Sequence, residues 1–286
     1  MSLKNTKRRA FTVLAAVTFA ATASAASTWT VDSGGGGDFT TIQAAIDAAS
    51  DGDTINVNSG TYDEAIVMNK PVNLVGNSSS DTTITYTNTS SSVEQNFFLG
   101  SNQGTDFNTH ATLIEGFTFR NGGGLTGDND LLKFRARGVD APIVIQNNVF
   151  DAAGDATIKG IEESLDAANF RISGNEFVGS KYGMWFNSPS NGEIIGNTIN
   201  DGGVGMGGSG LLGKGNPRNL AVKGNTIDGG TYGLLLASNI ENIAFECNTI
   251  SNHSYGGIVH WDYGPDGWSG VTFNNNNIVG NEEGVR

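Results

Sequence analysis

The chain has 286 residues, with 29 Asp and Glu against 16 Lys and Arg, and a net charge of −13 at neutral pH. Such acidity argues against a nucleic-acid partner, whose phosphates require a basic face. Cys247 is the single cysteine, so no disulfide can form within the chain and the fold must rest on hydrogen bonds and packing.

The chain opens with Lys4, Lys7, Arg8 and Arg9, runs through an apolar stretch at residues 10–20, and reaches the small residues Ala23-Ser24-Ala25. A basic start, a short apolar run and a small-residue cleavage site predict an export signal over residues 1–25. The remainder, residues 26–286, is then expected to be secreted, periplasmic or on the cell surface. The apolar run is shorter than the roughly 20 residues of a membrane span, and no later segment approaches that length. Loss of the signal removes four positive charges and takes the net charge from −13 to −17.

A helix is predicted next, beginning near Asp38, with Thr40 and Gln43 as a capping box and Ile42, Ala45, Ile46 and Ala49 on one apolar face. It is expected to plug the first coil of a solenoid, which otherwise exposes core and strand edge. This helix, with Asp51-Gly52-Asp53-Thr54-Ile55, Gly60-Thr61-Tyr62 and Val72-Asn73-Leu74-Val75-Gly76, resembles the opening of pectin methylesterases and of the right-handed β-helix repeat families of the pectin lyase-like superfamily. The resemblance implies an all-β, right-handed parallel β-helix with a short N-terminal capping helix. It does not carry the esterase chemistry. That family has two aspartates on adjacent coils, one in a Gln-Asp-Thr element and one near Val-Asp-Phe-Ile-Phe-Gly, followed by an arginine, and neither element is present here.

The next segment is the chemically distinctive one. In Leu132-Lys133-Phe134-Arg135-Ala136-Arg137, strand alternation sends Leu132, Phe134 and Ala136 inward and the three cations outward. Lys159 follows about one coil later. Aligned by corner glycines, the same face is expected to continue through Trp185 and Asn187, then Leu212 and Lys214, and to reach His260 and Asp262. Cations flanking a tryptophan suit a sugar ring and its carboxylate. In a polysaccharide lyase a Lys or Arg removes the proton beside a uronate while cations or calcium neutralise the carboxylate. The catalytic candidates are therefore Lys133, Lys159 and Arg135, with Arg137, Trp185, Asn187, Lys214 and His260 as substrate-binding candidates. Neighbouring cations are expected to favour a neutral lysine at Lys133 or Lys159.

Calcium is the one cofactor left open. Asp128-Asn129-Asp130 offers oxygen ligands, but in a Gly-rich turn these residues are expected for local hydrogen bonding. His110, His253 and His260 are too irregularly spaced for a metal triad, and no metal site is predicted.

From residue 144 onward a repeat takes over. Asn148, Asn175, Asn197, Asn225, Asn248 and Asn276 each precede a short strand and recur at intervals of 27, 22, 28, 23 and 28 residues. Each interval is one coil. The asparagines are expected to form an internal ladder, with Phe150, Phe177, Ile199, Ile227, Ile250 and Ile278 stacked beside it. Second strands follow corner glycines, as in Tyr182-Gly183-Met184-Trp185-Phe186. Cys247 shares the parity of Ile243 and Phe245 and is expected to be buried. The last repeat begins at Asn276 without a visible cap, which suggests a truncated or uncapped end and end-to-end self-association.

Two functions follow. The first is recognition, and cleavage by β-elimination, of an acidic polysaccharide; the second is a non-catalytic surface, adhesion or carbohydrate-binding module.

Overall fold

The computed structural model describes residues 25–87, 95–108, 110–125, 129–164, 166–206, 217–237, 240–261 and 267–286. The expected export signal up to residue 24, and with it Asp128, Lys214 and Asp262, lies outside the described residues.

The described chain winds into a right-handed parallel β-helix with three stacks of strands. The first stack runs from Ile66–Met68 through Gln95–Phe107, Asp130–Gly138, Lys159–Glu163, Tyr182–Phe186, Val204–Met206 and Tyr232–Ala237 to Gly256–Trp261. The second runs from Thr28–Val31 to Thr272–Asn274, and the third from Gly60–Asp63 to Asn277–Val279. All pairings are parallel, and Arg137 pairing with Ala168 joins the first two stacks.

The asparagine ladder forms as the spacing predicts. Each Nδ2 donates to the next Oδ1, from Asn148 to Asn175 at 3.1 Å, Asn175 to Asn197 at 3.1 Å, Asn197 to Asn225 at 3.0 Å, and onward through Asn248 to Asn276 at 2.9 Å each. The second Nδ2 hydrogen goes to a strand carbonyl, such as Ile172 O for Asn197 at 3.0 Å. Each Oδ1 also accepts the main-chain N–H of the asparagine before it. The amides from Asn148 to Asn248 are therefore saturated, which is why five of them can be buried inside a solenoid, with the half-buried Asn276 closing the row. Beside them Phe119, Phe150 and Phe177 stack with ring centroids 4.9 and 4.8 Å apart, and Ile199, Ile227 and Ile250 continue the row in register.

The corner glycines serve this row. A Cβ at Gly160 would stand 2.5 Å from the Phe177 ring, and one at Gly183 2.9 Å from Ile199 Cγ2. Room for the stacked side chain, rather than an unusual backbone angle, demands glycine there.

Two sequence expectations are corrected. The helix, Ile42–Ala48, buries Ile42, Ala45 and Ile46 as predicted, but its N-cap is Thr41, whose hydroxyl accepts from Ala44 N–H. Gln43 turns instead to the main chain of Val67, and the Glu64 carboxylate accepts the Ile42 and Gln43 N–H groups at 2.8 and 3.0 Å. An acid from the next coil thus replaces the local capping box. Cys247 is exposed rather than buried, because it sits at φ 54° in the turn before Asn248, where strand alternation has ended. Gly174, Gly196 and Gly224 hold the equivalent turns at φ 63–64°.

Replacing Asn197 by Ala strips four buried hydrogen bonds and leaves their partners without water. The expected cost is about 3 kcal/mol or more in urea unfolding. Cys247→Gly relieves a left-handed residue and is expected to be neutral to stabilising by up to about 1 kcal/mol, whereas the β-branched Cys247→Val should destabilise. Thermal unfolding of the pair gives the sign.

Candidate functional site

The outer face of the first stack is a lattice set by strand register. One row runs Phe98, Lys133, Glu162, Trp185 and Gly205 along successive coils. Arg135 follows Gly100 in the next outward row, and its Nε donates to Ser164 Oγ one coil on at 2.7 Å. Coils stack at about 4.8 Å, so Arg135 and Trp185 belong to one surface patch. Inward, Leu132, Phe134 and Ala136 are fully buried, as alternation requires.

The two lysines do not present free charges on this face. Lys133 and Lys159 are only 8% and 6% exposed. Lys133 Nζ lies 2.8 Å from Asp130 Oδ2 and 2.8 Å from Glu162 Oε1, while Lys159 Nζ lies 3.4 Å from Asp130 Oδ1 and 2.5 Å from Glu162 Oε2. Register builds this box: Asp130 pairs with Lys159 and Lys133 with Glu162 on adjacent coils. Two lysines and two acids close this box on itself, and carboxyl groups rather than the expected arginines surround the lysines. Each lysine Nζ donates to both carboxyl groups, Asp130 and Glu162. Asp130, expected in a solvent turn with calcium ligands, is instead buried and committed to both lysines.

The box splits its two acids. Burial, together with the Glu162 charge, pushes the Asp130 carboxyl up to about 7 against the pull of both lysines. Burial also opposes ionisation of Glu162, but there Lys133 and Lys159 prevail and lower it to about 2.

The arginines are the accessible cations. Arg137 is half-buried and pairs with Asp106 at 2.5 Å. Arg135, also half-buried, meets only neutral partners: Ser164 Oγ, Asn102 Oδ1 at 3.3 Å, and the Phe98 ring 5.6 Å from its guanidinium carbon. Among the described residues no carboxylate lies within ion-pair range of it. Residues 101–104 are inserted into the strand pairing where Arg135 gives way to Ala136, and they bring Asn102 to the guanidinium. Trp185 is half-buried, leans on Tyr182 with centroids 4.9 Å apart, and donates its indole N–H to Asn187 Oδ1 at 3.1 Å. Asn187 Nδ2 donates to Glu163 O at 2.8 Å, so this amide orients the tryptophan.

Gly205 is the in-register neighbour of Trp185, and the expected Leu212 and Lys214 lie outside the described residues. His260 aligns with Leu236, one position off the Trp185 row, and rests edge-on against Trp268. It stands five coils from Lys133, about 24 Å at one strand spacing per coil. Sequence reasoning read Asp130 only as a turn residue with oxygen ligands and missed Glu162, and the roles of both follow from cross-coil register. No cluster of metal-ligating side chains is present among the described residues.

Removing either lysine leaves buried carboxylates unpaired. Lys133→Met or Lys159→Met is expected to cost about 3–5 kcal/mol in urea unfolding, whereas exposed Lys223→Met should change stability by less than about 0.5 kcal/mol. A raised native pKa makes the Asp130 contribution present at low pH and lost as pH rises through about 7. The lowered Glu162 contribution is present above the ordinary carboxylate range and lost as pH falls through about 2. The urea midpoint should therefore fall on passing from weakly acidic to weakly alkaline buffer.

Comparison with solved structures finds similar chains. Carrot pectin methylesterase aligns at a TM-score of 0.50 and 13% identity, over 90% of this chain and 84% of that one. An alginate lyase from Paenibacillus sp. str. FPU-7 aligns at 0.46 and 14%, over 91% and 99%. The A-module of a mannuronan C-5 epimerase from Azotobacter vinelandii aligns at 0.39 and 14%, over 86% and 68%. At 13% identity the likeness to the carrot enzyme is one of fold. No curated protein matches the sequence. The model of the right-handed β-helix region matches residues 144–286, the half of the chain that carries the asparagine ladder. By that match and by its stacked parallel coils, the chain belongs to the right-handed β-helix family.

Proposed function

We propose that this chain is an exported protein, secreted, periplasmic or on the cell surface, that recognises an acidic, uronate-containing polysaccharide on the outer face of the first stack. Arg135 carries the reading. Its guanidinium holds five N–H donors in a planar fork that matches a carboxylate, yet its partners here are neutral oxygens and a ring face. An anionic ligand supplies the missing countercharge. Arg137 adds a second cation, exchanging Asp106 for the ligand, and Trp185 offers its ring to a sugar about two coils away. A saccharide chain running along the solenoid axis would meet both. Carrot pectin methylesterase shares this solenoid and is named for pectin, which agrees with the substrate class but supplies no residue.

Turnover by β-elimination is the second reading. The adjacency of Lys133 and Lys159 to Arg135 on neighbouring coils favours it, a neutral lysine being able to take the proton beside the uronate while the leaving oxygen is protonated from water. Arg135 would then neutralise the uronate carboxylate as charge moves onto it.

Calorimetry with oligogalacturonate and oligomannuronate tests binding. Arg135→Ala should weaken affinity roughly 10- to 100-fold, as expected for a charged hydrogen bond, and Trp185→Ala by roughly tenfold. Binding by the wild-type chain that neither substitution weakens would sink the reading. A rise in ultraviolet absorbance on polymeric substrate reports the unsaturated product of elimination; binding without that rise identifies a non-catalytic module.

A further inference from the structure

Glu163 is a glutamate in the core. It lies in register between Phe134 and Phe186, on the inward row of the first stack, and is fully buried. No cation pairs with it among the described residues. Its carboxylate instead accepts three main-chain N–H groups from two corners. Oε1 takes Ala167 at 3.1 Å on its own coil, and Oε2 takes Asn187 at 3.1 Å and Ser188 at 2.8 Å on the next. The main-chain oxygen of Glu163 holds Asn187 as well, accepting its Nδ2 at 2.8 Å and its N–H at 3.2 Å. Asn187 in turn receives the Trp185 indole N–H on Oδ1. The residue after Glu163 is Ser164, the partner of Arg135.

We propose that Glu163 is the positioning residue of the binding face: its carboxylate clasps Asn187, Asn187 orients the Trp185 indole, and protonation of the carboxylate loosens that chain. This assignment rests on the polysaccharide-binding reading for its purpose, though not for its physics. Hydrogen bonds to an ionised acceptor are about twice as strong as neutral ones, so a proton weakens all three N–H contacts and sets a hydroxyl donor beside the Ala167 N–H. Burial drives the carboxyl up to about 7, against the pull of the Ser188, Ala167 and Asn187 N–H groups, and the exposed Asp166 adds to the rise. Other charges on the surrounding elements face away. Lys133, Arg135 and Arg137 project from the outer side of the preceding strand, Glu162 from the outer side of its own, and Arg171 from the outer face of the second stack; Lys159 and Asp130 are tied to each other and to the box, and Tyr182–Phe186 carries only the Tyr182 phenol. Protonation also relieves a buried bare charge, so the fold as a whole is not weakened by it. The change is local to the corner that holds Asn187.

Tryptophan fluorescence across neutral pH tests the clasp without any ligand. The Trp185 signal is taken as the difference between each full chain and the same chain carrying Trp185→Phe. In the wild-type background it is expected to titrate with a midpoint near 7. Glu163→Gln should abolish that titration. Asn187→Leu should abolish it too, with the glutamate intact, and so serves if Glu163→Gln does not fold. No titration in the wild-type background, or one that survives Glu163→Gln and disappears in Asp130→Asn, would overturn the proposal and, in the second case, assign the effect to the lysine box. Oligouronate affinity read in parallel should fall on acidification in wild type and stay level in Glu163→Gln. A fluorescence titration that behaves as expected, without oligouronate binding, would uphold the clasp and reject the polysaccharide reading instead.

Discussion

The saturated asparagine ladder is the interaction from which the rest of this molecule follows. Each buried amide joins two coils through its side chain and ties both to the main chain, so a slip of one residue between coils would break several buried hydrogen bonds together. With register held in this way, equivalent side chains stand above one another on every face. The stacked phenylalanines, the isoleucine row and the glycines that make room for them are consequences of that alignment. No disulfide or described metal cluster shares the task.

The same alignment builds the outer face. Asp130 and Lys133 on one coil meet Lys159 and Glu162 on the next only because the register pairs Asp130 with Lys159 and Lys133 with Glu162. Buried charge is tolerated there because each ion finds two opposite partners. Neutralising the lysines leaves Arg135 as the exceptional cation of the patch, its guanidinium surrounded by neutral groups. Glu163, one residue beyond the box and on the opposite side of the strand, secures the corner that carries Asn187 and Trp185. A single five-residue strand, Lys159–Glu163, therefore supports the face from beneath and completes its charge balance from above.

Periodicity made the solenoid legible before any coordinates. Six asparagines spaced by one coil, each followed by a large apolar residue, admit few arrangements other than stacked parallel strands. Alternation placed Leu132, Phe134 and Ala136 inside correctly. The misreadings share a cause. Thr41 rather than Thr40 caps the helix because Glu64, from another coil, supplies acceptors that a local motif cannot reveal. Cys247 is exposed because a left-handed turn interrupts the alternation used to bury it. His260 was assigned to the binding face across Gly256-Gly257, where one residue of register decides which row a side chain joins.

By itself the sequence determined the coil, its polar ladder, its apolar rows and the outward direction of Lys133, Arg135 and Arg137, because each of these depends on spacing along one strand or on a repeat. Only the tertiary structure decided which of those cations remains available. Whether an outward lysine is a free charge depends on what stands one coil away, about 4.8 Å in space but 29 residues along the chain for Lys133 and Glu162. Local pattern carries no record of that separation, and coil lengths vary too much for it to be counted. The buried carboxylate of Glu163 was hidden for the same reason: the N–H groups that make its burial tolerable come partly from a corner 24 and 25 residues downstream.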